Sequence, residues 1–109
     1  MSYKVTTIQT FDRQIKRLIR KYPSLKEDIS KLASELAENP NKGTPLGKDC
    51  YKIRISVKSK GKGKSGGARV ITLVLIADTT VFLLSIYDKS TQDSITKKEI
   101  EELLKEVDL

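Results

Sequence analysis

Tyr51-Lys-Ile-Arg-Ile-Ser-Val-Lys58, then Ser59-Lys-Gly-Lys-Gly-Lys-Ser-Gly-Gly67, then Ala68-Arg-Val-Ile-Thr-Leu-Val-Leu-Ile76, is the stretch on which the fold turns. In its first part Tyr51, Ile53, Ile55 and Val57 alternate with Lys52, Arg54, Ser56 and Lys58. Successive side chains on a strand point to opposite faces, so this is a half-buried strand with one apolar and one cationic face. The third part is apolar on both faces after Arg69, with Thr72 the one interruption, which is the pattern of a central strand covered on both sides. Residues 77–80, Ala-Asp-Thr-Thr, turn the chain, and Val81-Phe-Leu-Leu-Ser-Ile-Tyr87 reads as a further, nearly all-apolar strand. Strands joined by short loops form an antiparallel meander.

Upstream, residues 3–8 are rich in β-branched side chains and predict a short first strand. Phe11, Ile15, Leu18, Ile19 and Tyr22 then fall on one helical face, and Pro23 ends that helix. Ser24-Leu-Lys-Glu27 has the spacing of a capping box. It opens a second stripe of Leu25, Ile29, Leu32, Ala33, Leu36 and Ala37, which Asn39-Pro40 stops. So short a link predicts an antiparallel helix hairpin. Residues 41–47, with Pro45 and two glycines, read as a loop. Residues 88–95 are polar and irregular, and Thr96-Lys-Lys-Glu99 is a second capping box before the stripe Ile100, Leu103, Leu104, Val107. The order is β-α-α-β-β-β-α. It predicts one α+β domain over residues 1–109, a helix hairpin packed on a mainly antiparallel sheet.

The charge is concentrated where the fold is decided. Residues 42–69 hold nine cations and one anion, net +8, whereas the whole chain of 109 residues is net +7. A near-neutral body with a local positive patch is suited to a negative partner, and phosphate is the commonest. The bland alternative is a solvated lysine loop. No apolar run approaches the ~20 residues of a membrane span, and residues 3–8 are no signal peptide, so a membrane role is not expected. One cysteine, Cys50, allows no internal disulfide and fits a reducing, cytoplasmic setting. The chain has no histidine, so proton transfer falls to Lys, Arg, Tyr or carboxylates. Neither a zinc cluster nor a two-metal site can be assembled from the basic segment, and no metal or cofactor is expected.

Lys52 and Arg54 share the outer face of their strand, Lys58 continues it, and Arg69 opens the next strand. Lys60, Lys62 and Lys64 stand among glycines at the loop between them. An outer face that merely needs polarity usually mixes signs, and this one does not. Gly63-Lys64-Ser65 is not a phosphate-binding P-loop. That motif needs glycine where Lys58 stands and a helix where residues 68–76 read as strand. Tyr87, at a strand end, can stack a nucleobase or simply close the core edge. Cys50 reads as a small packing residue.

The element order, the phrases Cys50-Tyr-Lys-Ile-Arg-Ile55 and Gly63-Lys-Ser-Gly-Gly-Ala-Arg-Val70, and Ser85-Ile-Tyr-Asp-Lys89 together resemble the RelE/ParE toxin superfamily, most closely its HigB-like branch. The similarity spans nearly the whole chain. The resemblance implies a small messenger-RNA interferase that works in the ribosomal A site, held silent by a cognate antitoxin protein. Lys52 and Arg54 match the family's strand cations, Arg69 its next-strand arginine, and Lys89 a cation after the last strand. Ile95 falls near the place of a family tyrosine, so base stacking passes to Tyr87 or is missing. The implied catalytic set is Lys52, Arg54, Arg69, Tyr87 and Lys89, with Lys48, Lys58, Lys60, Lys62 and Lys64 gripping RNA.

The chemistry stands without the family. Cleavage through a neighbouring 2′-hydroxyl needs a base for that hydroxyl, positive charge for the phosphorane oxygens and an acid for the 5′-oxygen. A lysine serves as base only when its proton is made labile, and the cations around Lys52 work in that direction. Three rivals remain: a non-catalytic RNA-binding module, a gyrase inhibitor of the ParE branch, and a degenerate toxin kept for its partner contact.

Overall fold

The computed structural model describes residues 2–92 and 94–107, which leaves Asp93 of the polar connection outside it. Its elements are β1 (Lys4–Thr7), α1 (Gln9–Lys21), α2 (Leu25–Glu38), β2 (Thr44–Gly47), β3 (Cys50–Ile55), a one-turn 3₁₀ helix (Lys58–Lys60), β4 (Ala68–Leu75), β5 (Thr80–Asp88) and α3 (Lys97–Leu104). The sheet order is β1-β5-β4-β3-β2. All pairs are antiparallel except β1 with β5. The expected α+β class holds, and β4, apolar on both faces, is the central strand. Ile76, expected at its end, turns out of the sheet and is 68% exposed.

One strand was not expected. Thr44–Gly47 pairs with β3 as an edge strand, although it contains Pro45. Proline is tolerated there because an edge strand leaves half of its amides unpaired. Lys48 and Asp49 join β2 to β3 with φ of 55° and 64°. Such left-handed pairs suit the twist of a two-residue hairpin, but the turn lacks the usual Asn-Gly signature.

The core is sealed by Leu25, Leu32 and Leu36 of α2, Phe11 of α1 and the apolar rows of β3, β4 and β5. β1 covers the edge of β5 only as far as Leu83. Above it, Gln14 of α1 replaces a strand: its Oε1 accepts from the Ile86 N–H at 2.9 Å and the Ser85 hydroxyl at 3.1 Å. A side-chain amide thus satisfies backbone that would otherwise be orphaned.

The two capping boxes fare differently. Thr96 and Glu99 form theirs reciprocally, at 3.1 and 3.0 Å. Ser24 does not: its backbone is already helical, and its hydroxyl donates to Asp28 Oδ2 at 2.9 Å. Ser24 and Ser59 instead exchange bonds, each N–H donating to the other's hydroxyl oxygen at 2.9 and 2.8 Å. The start of α2 is therefore capped by the loop after β3, which ties the helix hairpin to the cationic segment.

Candidate nucleic-acid interface

Register places the cations. Arg54 of β3 lies opposite Arg69 of β4, which lies opposite Tyr87 of β5. The next row on the same face is Lys52, Ile71, Ser85. The alternate rows, Ile53-Val70-Ile86 and Ile55-Ala68-Asp88, point the other way, where Tyr22 of α1 meets Asp88. Lys52 and Arg54 therefore share one face, as expected, and the register adds Arg69 to it, whereas Lys58 does not continue it, because β3 ends at Ile55 and Lys58 opens the 3₁₀ helix. Lys89 follows directly: its N–H donates to the Gly67 carbonyl at 3.1 Å, beside the start of β4.

Exposure divides this set. Arg54 is exposed and Lys52 half-buried. Arg69, expected as an exposed cation at a strand start, is 3% exposed. Its Nη1 donates to the carbonyls of Lys64 at 2.9 Å and Ala68 at 3.3 Å, and its Nη2 to that of Ser65 at 3.3 Å. Tyr87 is 6% exposed. β5 is covered on both faces there, so the ring closes the core edge and offers no open face to a base.

The loop lysines also divide. Lys58, Lys62 and Lys64 are exposed. Lys60, grouped with them in the sequence, is not a surface cation. Its ammonium is 2.5 Å from Asp88 Oδ1, with the two side chains 6% and 4% exposed, and 5.3 Å from the centre of the Tyr22 ring. Asp88 Oδ1 also accepts from the Ser90 N–H at 3.0 Å and the Ser90 hydroxyl at 2.8 Å, and Oδ2 from the Tyr22 hydroxyl at 2.8 Å. Burial works to raise the pKa of Asp88. The Lys60 ammonium and the bonds from Ser90 and Tyr22 outweigh it and hold the carboxyl well below the usual carboxylate range. Sequence reading missed this knot, since Tyr22, Lys60 and Asp88 are far apart in the chain. The one available signal was an aspartate ending an otherwise apolar strand.

Lys48 sits elsewhere. It occupies the β2–β3 turn, where Cys50 pairs with Leu73, four residues along β4 from Arg69, or about 13 Å at strand rise. Its ammonium is 3.3 Å from Glu101 of α3, so it holds the last helix instead of joining the patch. Cys50 is buried, and burial pushes its thiol up to about 11. It is a packing residue with no thiolate to offer.

A groove of about 370 Å³ runs between α2 and the outer part of β3, with Glu27, Asp28 and Lys31 on one wall and Arg54, Lys58 and Lys64 on the other. At its end Lys42 bonds Glu35 at 2.7 Å, and that bond chiefly holds the Glu35 carboxyl below its ordinary value. The helix hairpin thus presents acids to the flank of the cationic strand. The open cationic surface consists of Lys52, Arg54 and the exposed loop lysines.

Among the described residues no helix is long and apolar enough to cross a membrane. The fold is similar to that of a double arginine-to-alanine mutant of E. coli toxin RelE in the free state (TM-score 0.66, 21% identity, covering 96% of this chain and 97% of that one). It is similar also to a chain of the intact E. coli RelBE toxin–antitoxin complex (TM-score 0.63, 22% identity, 80% and 96% covered). A third similar structure is the mutant RelE in complex with an antitoxin RelBc peptide (TM-score 0.59, 21% identity, 94% of each chain covered). Residues 4–107 match the family model described as the RelE toxin of the RelE/RelB toxin–antitoxin system. With its fold and almost its entire length accounted for, the chain belongs to the RelE toxin family.

Proposed function

We propose that this protein, the toxin of a type II toxin–antitoxin pair, is an endoribonuclease that cuts translated messenger RNA in the ribosomal A site. The observation that carries the reading is the single-signed row of Lys52, Arg54 and Arg69 on the sheet face away from the Tyr22–Asp88 contact. Strand-borne cations hold their spacing, as charge stabilisation of a developing phosphorane requires.

In this reading the message lies across β3 and the start of β4. Lys52 is the base that takes the proton of the 2′-hydroxyl. The 2′-oxygen attacks phosphorus, and Arg54 and Arg69 neutralise the phosphorane oxygens. The bond to the 5′-oxygen breaks as Lys89 gives it a proton, leaving a 2′,3′-cyclic phosphate and a 5′-hydroxyl. No water and no oxidant enters. Lys58, Lys62 and Lys64 add sequence-independent grip on ribosomal RNA. Tyr87 lies beside Arg69 on the same face and takes no part in the chemistry.

The partner is a cognate antitoxin that covers Lys52, Arg54 and Arg69 or displaces α3. That helix buries Ile100 and Leu103, packs Leu104 against the core and adds the exposed Lys48–Glu101 pair, and bonds from Thr10 reach Glu106 just after it. An eight-residue helix with two buried side chains suits an element that gives way to a tighter binder.

Induction of this chain alone in bacteria should arrest growth by loss of translated messages, and co-expression of the neighbouring antitoxin should restore growth. Replication stopping before translation would favour the gyrase-inhibiting branch. RNA binding with intact message would favour the non-catalytic module.

A further inference from the structure

The segment of residues 61–66 is fastened at both ends. On one side Lys60 is pinned by its buried pair with Asp88. On the other, Gly67 accepts the Lys89 N–H and packs so tightly that a Cβ there would lie 2.0 Å from the Ile55 carbonyl oxygen. Between these posts the chain forms neither helix nor strand and carries the exposed Lys62 and Lys64. Its most specific contact is with Arg69, whose two terminal nitrogens reach the Lys64 and Ser65 carbonyls.

Two oxygens set before the two nitrogens of a guanidinium are what a phosphate supplies in a forked contact. A carbonyl carries only partial charge, so a phosphate in the same place is the stronger ligand. We propose that the Lys64 and Ser65 carbonyls are a built-in stand-in for an RNA phosphate. Residues 61–66 are a strap closed over Arg69 in the free protein, and the phosphate of an incoming RNA opens it by taking the guanidinium. This rests on the reading above, in which Arg69 meets phosphate. The lysines on the strap draw the same RNA that displaces it, so opening is coupled to arrival of substrate. Arg69 stays covered when no RNA is present.

The strap's closed shape depends on glycine. Gly61 and Gly63 have φ of 67° and 65°, and a Cβ at either would meet nothing within 4 Å. Alanine there clashes with nothing and disfavours only the left-handed backbone, so Gly63→Ala should shift the strap towards open by roughly tenfold. Phenylglyoxal labelling followed by mass spectrometry reads the accessibility of each arginine, with exposed Arg54 as internal standard. In the free wild-type protein Arg69 should label at least about tenfold more slowly than Arg54. Gly63→Ala should raise the Arg69 rate by roughly tenfold and leave that of Arg54 unchanged. A 2′-O-methylated, uncleavable oligoribonucleotide should bind Gly63→Ala more tightly than wild type, because opening no longer draws on binding energy. Gly61→Ala serves as the second variant if Gly63→Ala melts early. Equal labelling of Arg54 and Arg69 in the free protein overturns the proposal. So does an unchanged Arg69 rate in both folded variants, or faster labelling without tighter binding. Failure of the cleavage reading is seen separately, as intact translated message in the presence of a strap that behaves as described.

Discussion

Replacing Lys60 by methionine is the sharpest test of how the cationic segment is built. The substitution keeps an apolar stem of similar length and removes the ammonium. The Asp88 carboxylate, 4% exposed, would keep its bonds from Tyr22 and Ser90 but lose its countercharge. Removing one partner of a buried ion pair costs about 3–5 kcal/mol. That is a large share of the ~5–15 kcal/mol by which such a domain is stable. Lys62→Met, on the same loop and exposed, should change stability by no more than about 0.5 kcal/mol. Urea unfolding of both variants at pH 7, followed by circular dichroism, gives the comparison. The double variant Lys60→Met/Asp88→Leu should recover part of the loss, because no buried charge remains. If Lys60→Met and Lys62→Met unfold at the same urea concentration, Lys60 is a solvated loop lysine and the buried knot is refuted.

Acid should act through the same knot. The Asp88 carboxyl titrates below its unfolded value of about 3.9, so its stabilisation is fully present above that pH and is lost as pH falls towards the folded value. Asp88→Asn should lower stability at pH 7 and flatten its fall below about pH 4, as read by urea midpoints across pH. Arg69→Ala should cost about 2–4 kcal/mol, because it removes a buried charged donor bonded to three carbonyls. Loss of toxicity in that variant therefore has to be judged beside Arg54→Ala, which should unfold like wild type. Changing Lys58, Lys62 and Lys64 to Gln should lower the slope of log K against log salt for ribosome binding by roughly 0.7–0.9 per lost phosphate contact. Adding Lys60→Gln should leave the slope unchanged while lowering stability.

What could be read from the chain was whatever a local period encodes. Alternation from Tyr51 onward and the apolar run of β4, interrupted at Thr72, gave those two strands and the common face of Lys52 and Arg54; only the register adds Arg69 to that face. The helical stripes gave the hairpin. β2 escaped because an edge strand needs no apolar period and tolerates Pro45. The Ser24 cap escaped because Ser59, 35 residues away, competes for the same hydroxyl. Within the site, lysines in a glycine-rich loop look alike in sequence. Only the fold shows that Lys60 points inward to Asp88 while Lys62 and Lys64 face solvent. Burial of Arg69 was equally hidden, because its partners are backbone carbonyls, which every residue has.

Cleavage of message on the ribosome is read by primer extension on messenger RNA after incubation with purified toxin and programmed ribosomes. Breaks should fall within the codon held in the A site and leave 5′-hydroxyl and 2′,3′-cyclic phosphate ends, and the same RNA should stay whole without ribosomes. Cleavage should be lost in Lys52→Ala and Arg54→Ala proteins that melt like wild type. Intact message on ribosomes that demonstrably bind the toxin, or undiminished cutting by both variants, would contradict it.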